Sequence, residues 1–353
     1  MNKKYSLLLV LGFLMTPILV HADSPVPVVV YTQGVTKSAS DVSVWSKVRL
    51  YRVTNGSTPR LITVLGGVGN VPADILLSPD HQTIAVSFKH RVAIINQWTK
   101  AHRTIFTTSG DITGVVWAPD SSQVFIMTTK AGTRIGYAVN IRTGKITNGF
   151  ADTKTEVLKP AAWRTDGYII FHQLEGDEVS AWSLNLKTKK LYEVGYEAEH
   201  PLYSPDGKLV AIEEDEEHIA DPCSGDGQAT NKFEFKDTVT NQEHGYIGGK
   251  TTSTMPLAIS PDGQESIFIS TQAAKNKAAC SQRQIQHYIH ATRASLDTKV
   301  LTFAETQQML QTWKSESIGA TAHQAKGKYS ISVPGWKYVT SSKALSIVSQ
   351  YWQ

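Results

Sequence analysis

Five copies of one turn punctuate the chain, each set between two short apolar runs: Ser78-Pro79-Asp80-His81, Ala118-Pro119-Asp120-Ser121, Arg164-Thr165-Asp166-Gly167, Ser204-Pro205-Asp206-Gly207 and Ser260-Pro261-Asp262-Gly263. Their aspartates fall 40, 46, 40 and 56 residues apart, the period of four-stranded propeller blades. Few folds tolerate such a repeat. Proline presets φ for the first central position of a type I turn, aspartate accepts hydrogen bonds from nearby amides, and glycine takes the left-handed conformation that closes a three-residue hairpin. His81 tolerates positive φ, whereas Ser121 fits it poorly and predicts a second hairpin that closes differently. Arg164-Thr165 keeps Asp166-Gly167 but loses the proline, which weakens preorganisation without forbidding the turn.

The flanking sequence repeats as well. An apolar strand precedes each turn and an alternating one follows, as in Ile75-Leu76-Leu77 then Ile84-Ala85-Val86, and Val115-Val116-Trp117 then Val124-Phe125-Ile126. Residues 91–96, 135–141 and 179–186 read as third strands, and each is followed by a polar turn and a short fourth strand. The expected fold is therefore all-β: a single β-propeller of four-stranded blades. A unit of about 45 residues divides a mature chain of 353 less 22 residues into about seven blades, with six as the rival count.

Ring closure follows from the two ends of the chain. Residues 27–31, 46–53 and 60–65 look like second, third and fourth strands without a first, and residues 345–352 supply a last strand. Residues 318–323 and 329–333 form a degenerate copy of the first hairpin around Lys326-Gly327-Lys328. An open ring would expose unpaired backbone, so closure mixes strands from both termini. One insertion is helical: Thr302-Phe303-Ala304-Glu305 is a capping box, and residues 305–314 carry Met309, Leu310 and Trp313 at helical spacing. Its apolar side is expected to pack on the ring as a lid.

Residues 204–212 and 260–269 resemble the TolB-type propeller repeats, whose hallmark is an apolar strand, S-P-D-G, a polar residue and a second apolar strand; the other three copies match in part. The likeness covers residues 72 to about 305. It implies a WD-repeat-like propeller in the periplasm. TolB-type proteins bind peptidoglycan-associated lipoprotein through the propeller and carry an α/β domain ahead of it, for which this sequence leaves no room, so residues 23–353 are read as one propeller domain.

Lys3 and Lys4, the apolar run 6–20 and Val20-His21-Ala22 have the layout of a secretory signal peptide, residues 1–22, cleaved after Ala22. The run is too short to span a bilayer. The mature protein is expected in the periplasm or outside the cell, without stable membrane insertion after cleavage. Losing two of 35 basic residues against 31 acidic leaves the mature chain near neutral, and no basic cluster supports nucleic-acid binding.

Cys223 and Cys280 both lie between the second and third strands of adjacent units, where loops share one face of a propeller. In an oxidising compartment they are expected to form a disulfide. The same two loops are the longest of the core repeats, which makes their face the expected binding surface. The first opens with Glu213-Glu214-Asp215-Glu216-Glu217-His218. That run reads as a solvated strand end, with a hard cation such as calcium as the alternative; no cofactor is expected otherwise. Asp111, Glu199 and His200 are placed at the channel mouth by their position at the starts of inner strands. No G-x-S-x-G elbow or phosphate-cradling loop occurs. The expected function is a non-catalytic propeller that binds a protein or cell-envelope component. The alternative is a hydrolase or lyase, with or without a metal, built from those acidic and histidine side chains.

Overall fold

The computed structural model describes residues 27–36, 45–54, 57–66, 72–153, 157–173, 180–197, 201–213, 218–220, 228–230, 232–248, 252–272, 285–292, 298–313, 321–325, 328–332, 339–341 and 345–352. The signal-peptide residues 1–22 lie outside these.

Blade 1 begins with β1 (Pro27–Thr36), β2 (Trp45–Thr54) and β3 (Arg60–Leu65). Blade 2 consists of β4 (Asp74–Leu77), β5 (Thr83–Phe88), β6 (Arg91–Asn96) and β7 (His102–Thr107), and blade 3 of β8 (Asp111–Trp117), β9 (Gln123–Lys130), β10 (Thr133–Asn140) and β11 (Ile146–Asp152). Blade 4 takes β12 (Leu158–Trp163), β13 (Tyr168–Gln173), β14 (Ser180–Asn185) and β15 (Leu191–Glu197). In blade 5, β16 (Leu202–Tyr203) and β17 (Leu209–Glu213) are followed by a separate hairpin, β18 (His218–Ala220) with β19 (Gln228–Thr230), before β20 (Lys232–Asp237) and β21 (Glu243–Gly248) complete the sheet. Blade 6 holds β22 (Thr252–Ile259), β23 (Glu265–Gln272), β24 (Ile285–Thr292) and β25 (Thr298–Leu301), after which comes α1 (Phe303–Thr312). Blade 7 has three strands, β26 (Thr321–Ala325), β27 (Lys328–Ser332) and β28 (Val339–Ser341). The last strand, β29 (Leu345–Trp352), pairs antiparallel with β1 and so becomes the innermost strand of blade 1. Seven sheets therefore form the propeller, closed by strands from both ends of the chain as the sequence predicts.

The core lies between blades rather than within them. Val28, Val30, Val48 and Leu50 of blade 1 pack on Ile84, Val86 and Ile95 of blade 2. Phe125 and Met127 of blade 3 pack on Ile169 and Phe171 of blade 4, and Ala211 and Phe235 of blade 5 on Ile259 and Phe268 of blade 6. Full burial of one such phenylalanine or leucine stabilises the fold by about 2–3 kcal/mol. Innermost strands of successive blades also lie side by side, β29 with β4, β4 with β8, β8 with β12 and β16 with β22. The helix buries Leu310 and Trp313 against Ala258, Ile267 and Leu301, so it covers blade 6. Its capping box forms: Thr302 accepts from the Glu305 amide, and Glu305 accepts from the Thr302 amide.

The five turns share one hydrogen-bond scheme. In each, the fourth residue takes positive φ, from 57° at His81 to 89° at Gly167, and its amide donates to the carbonyl of the first at 2.8–3.1 Å. Ser78, Ser204 and Ser260 donate through Oγ to Asp80, Asp206 and Asp262, and each accepts from the amide five residues on. Those Oγ bonds keep three buried seryl side chains satisfied while the hairpin turns. The expectation that the Ser121 hairpin closes differently is corrected: Ser121 has φ 60° and its amide bonds to Ala118 like the others. Its strain is offset because its Oγ accepts from the Asp80 amide of blade 2 at 2.9 Å. A second repeated device joins third to fourth strands. Asn96, Asn140, Asn185 and Asp237 each accept through Oδ1 from the amides two and three residues on, an Asx turn that aims the fourth strand back.

Candidate binding face

Because neighbouring strands are antiparallel, the five turns emerge on one face of the ring. The second-to-third connections, and the links between blades, emerge on the other. The turn face is a structural belt. The Thr165 amide of blade 4 donates to the Asp206 carbonyl of blade 5 at 3.1 Å. Arg164, 8% exposed in its side chain, sends Nε and Nη2 to Asp166 at 2.9 and 2.8 Å. Its Nη1 reaches Thr238 at 2.9 Å and Asp237 at 3.4 Å, in blade 5. The Arg164 hydrogen bond holds the Asp166 carboxyl below the usual range. The turn that lacks Ser-Pro thus carries an inter-blade lock in its place, and Gly207 has no room for a side chain because Arg164 lies 3.1 Å from where its Cβ would stand.

The opposite face carries the polar residues expected to bind. Asp111 opens β8 and is 55% exposed; it lies 3.6 Å from Lys89 Nζ and 3.6 Å from His90 Nδ1, both on the blade 2 turn between β5 and β6. His90 Nδ1 also bonds the Gly110 carbonyl at 2.8 Å, which places the ring beside blade 3. Glu213 ends β17 and His218 begins β18. Glu199, His200, Asp215, Glu216, Glu217, Cys223 and Cys280 lie outside the described residues. Asp111 is therefore joined to Lys89 and His90, and convergence with the other acidic and histidine candidates is not among the described contacts. Among the described residues no group of three or more potential metal ligands occurs.

Two inter-blade bridges on the inner strands escape a reading of the repeat. Lys159 of β12 in blade 4 reaches Asp74 of β4 in blade 2 at 3.0 Å. It does so across blade 3, where a Cβ on Gly114 would stand 3.0 Å from Lys159 Cγ and 2.9 Å from Pro160 Cδ. Asp74 is held in turn by Ser87, whose Oγ donates to Oδ2 at 3.0 Å and accepts from the Asp74 amide at 2.9 Å. A glycine inside a β-strand is the signal that could have pointed to this close approach. Beside Lys159, in register with it, stands His172 of β13. Its Nε2 shares a hydrogen bond with the Tyr203 hydroxyl of blade 5, and the two rings stack at 5.8 Å. Burial, then the nearby Lys159 charge, push the imidazole down to about 4, so it is neutral near pH 7. These contacts give the centre of the ring a fixed framework of paired groups, on which longer connections are carried.

The longest described excursion is the hairpin β18–β19 between two paired strands of blade 5, and β19 lies beside β22 of blade 6.

Among the described residues, no helix is long and apolar enough to cross a membrane. No protein-family model matches the chain, and no curated protein is similar to it in sequence. Solved structures similar to it include the "putative TolB" of Agrobacterium tumefaciens, at 10% identity over 78% of this chain and 89% of that one, with a TM-score of 0.40. Hydrazine synthase of Kuenenia stuttgartiensis is similar at 13% identity over 75% and 74%, with a TM-score of 0.43. An uncharacterised protein of Listeria monocytogenes is similar at 11% identity over 78% and 82%, with a TM-score of 0.45.

Proposed function

We propose that this chain is an exported, non-catalytic propeller that binds a protein or cell-envelope component through its loop face. The observation that carries the reading is the hairpin β18–β19, which leaves blade 5 on that face and lies beside the first strand of blade 6. Cys223 falls between β18 and β19, and Cys280 between β23 and β24 of the neighbouring blade. A disulfide between them would fasten the two longest connections of adjacent blades to one another. Rigid scaffolds of this kind present recognition on loops. The Glu213 to His218 run borders that face and supplies its acidic character, while Lys3, Lys4 and the apolar run behind them support export.

The test is affinity capture from the envelope of the source cell with the mature protein, run in parallel with Cys223→Ser, and peptide mapping without reduction. A specific partner retained by the wild type and lost with the variant, together with a linked Cys223–Cys280 peptide, is the expected outcome. Recovery of no partner by either, with a metal ion in the purified protein, would overturn the reading in favour of catalysis.

A further inference from the structure

Six sheets are four strands wide, whereas β26, β27 and β28 form a sheet of three. The chain passes from β28 through residues 342–344 into β29, which belongs to blade 1. Three residues span only about 10 Å, enough to reach the next blade and too few to add a strand. Closing the ring has taken the strand that would otherwise have finished blade 7.

The consequence is visible on the neighbouring blade. Alternation along β1 and β2 sends Val28, Val30, Val48 and Leu50 into the core shared with blade 2. Tyr31 and Tyr51, in register and stacked at 5.4 Å, therefore face blade 7. On β3, Leu61 is in register with Tyr51 and Val64 with Arg49, which places both apolar side chains on that same face at the fourth-strand position. Nearer the axis the face is covered, with Val29 and Tyr31 at 0% and 3% exposure, yet Leu61 and Val64 are 39% and 47% exposed. Fourth-strand apolar residues elsewhere, Ile105, Phe106 and Phe150, are buried.

We propose that an extended segment of another exported polypeptide adds to β28 as the missing fourth strand of blade 7, laying alternate apolar residues on Leu61 and Val64. An open strand edge offers a row of backbone donors and acceptors, which an extended chain satisfies and a helix cannot. The apolar floor lies on one side only, so the incoming strand alternates apolar and polar residues. Arg49 flanks that floor, in register with Val64, and no ion pair to it occurs among the described residues, so an acidic residue at that point of the incoming strand is favoured. The notch lies at the rim of the ring and does not depend on the reading of the loop face.

The test uses the full mature chain and a fluorescein-labelled peptide of about eight alternating valines and threonines with one aspartate, a length typical of strand addition. Polarisation should report saturable binding, and hydrogen exchange should slow at residues 339–341. Leu61→Glu with Val64→Glu, both at exposed positions so that the fold is kept, should weaken binding at least tenfold. Methylation of the peptide's backbone amides should do the same. The proposal fails if the N-methylated peptide or the double variant binds as before, if residues 339–341 gain no protection, or if no binding is seen up to about 1 mM. A wild-type dimer in sedimentation that the double variant abolishes would assign the notch to a second copy of this chain and also overturn it.

Discussion

The His172 imidazole makes stability depend on pH in a way that can be worked from the structure. Burial first, and the Lys159 charge second, hold it at about 4, against 6.5 for the free side chain. The folded state thus prefers the neutral ring, and between those two values the unfolded chain binds the extra proton. Stability from this group is complete above about pH 6.5 and declines as pH falls toward 4. Each pH unit across the window costs about 1.4 kcal/mol, and the whole gap is worth about 3 kcal/mol. The assay is urea unfolding of wild type and His172→Gln at a series of values from about pH 7.5 to pH 5, well within the range where one proton dominates the difference. Glutamine keeps a polar group that can bond the Tyr203 hydroxyl but takes up no proton. Carboxylate titration is common to both proteins and cancels. Wild-type stability, taken relative to the variant, should fall by about 2 kcal/mol between pH 6.5 and pH 5. Parallel curves would refute the placement of His172 in a desolvated site beside Lys159.

Other expectations test the contacts between blades. Arg164→Ala leaves Asp237 and Thr238 without their guanidinium partner and should lower unfolding stability by about 3 kcal/mol, measured by denaturant midpoint. An unchanged midpoint would remove the lock between blades 4 and 5. Gly114→Ala drives a methyl into Pro160 and should cost about 1–3 kcal/mol; Lys159→Met, which keeps the stem and removes the charge, should cost less. Thr302→Ala removes the helix cap and should destabilise by about 1 kcal/mol, read as earlier loss of helical circular dichroism on heating.

Local chemistry explains what a reading of the residues could reach. Each Ser-Pro-Asp-Gly turn is a self-contained hydrogen-bonded unit of four residues, so it marks its position wherever it occurs, and the strands around it follow. The missing first strand of blade 1 was legible for the same reason, since residues 27–36 run straight into a second-strand pattern and β29 had no other sheet to join. The helix was legible from Thr302 and Glu305. Contacts between blades leave no such mark. Lys159 reaches Asp74 across an intervening strand, and nothing in the 85 positions between Asp74 and Lys159 encodes that approach except the bare Cα of Gly114. Arg164 reads as the loss of a serine, although it brings blade 5 into the turn. Ser121 reads as a defect because the Asp80 amide that rewards it belongs to another blade. The recurring Asn96, Asn140 and Asn185 were a second periodic signal, less conspicuous because their turns differ in every other residue. For the binding face, position in the repeat placed Asp111 at the start of an inner strand, but its pairing with Lys89 and His90 depends on the neighbouring blade's turn.

Ring closure within one chain is the claim on which the propeller, its loop face and its notch all depend. In a Cys223→Ser/Cys280→Ser background, Thr32→Cys and Ser346→Cys place one thiol on each of the two paired strands, in register. Oxidation should yield a monomeric, internally cross-linked protein that migrates faster without reductant and melts at a higher temperature. Absence of a cross-link, or cross-links found only between molecules, would contradict a ring that the last strand closes on the first.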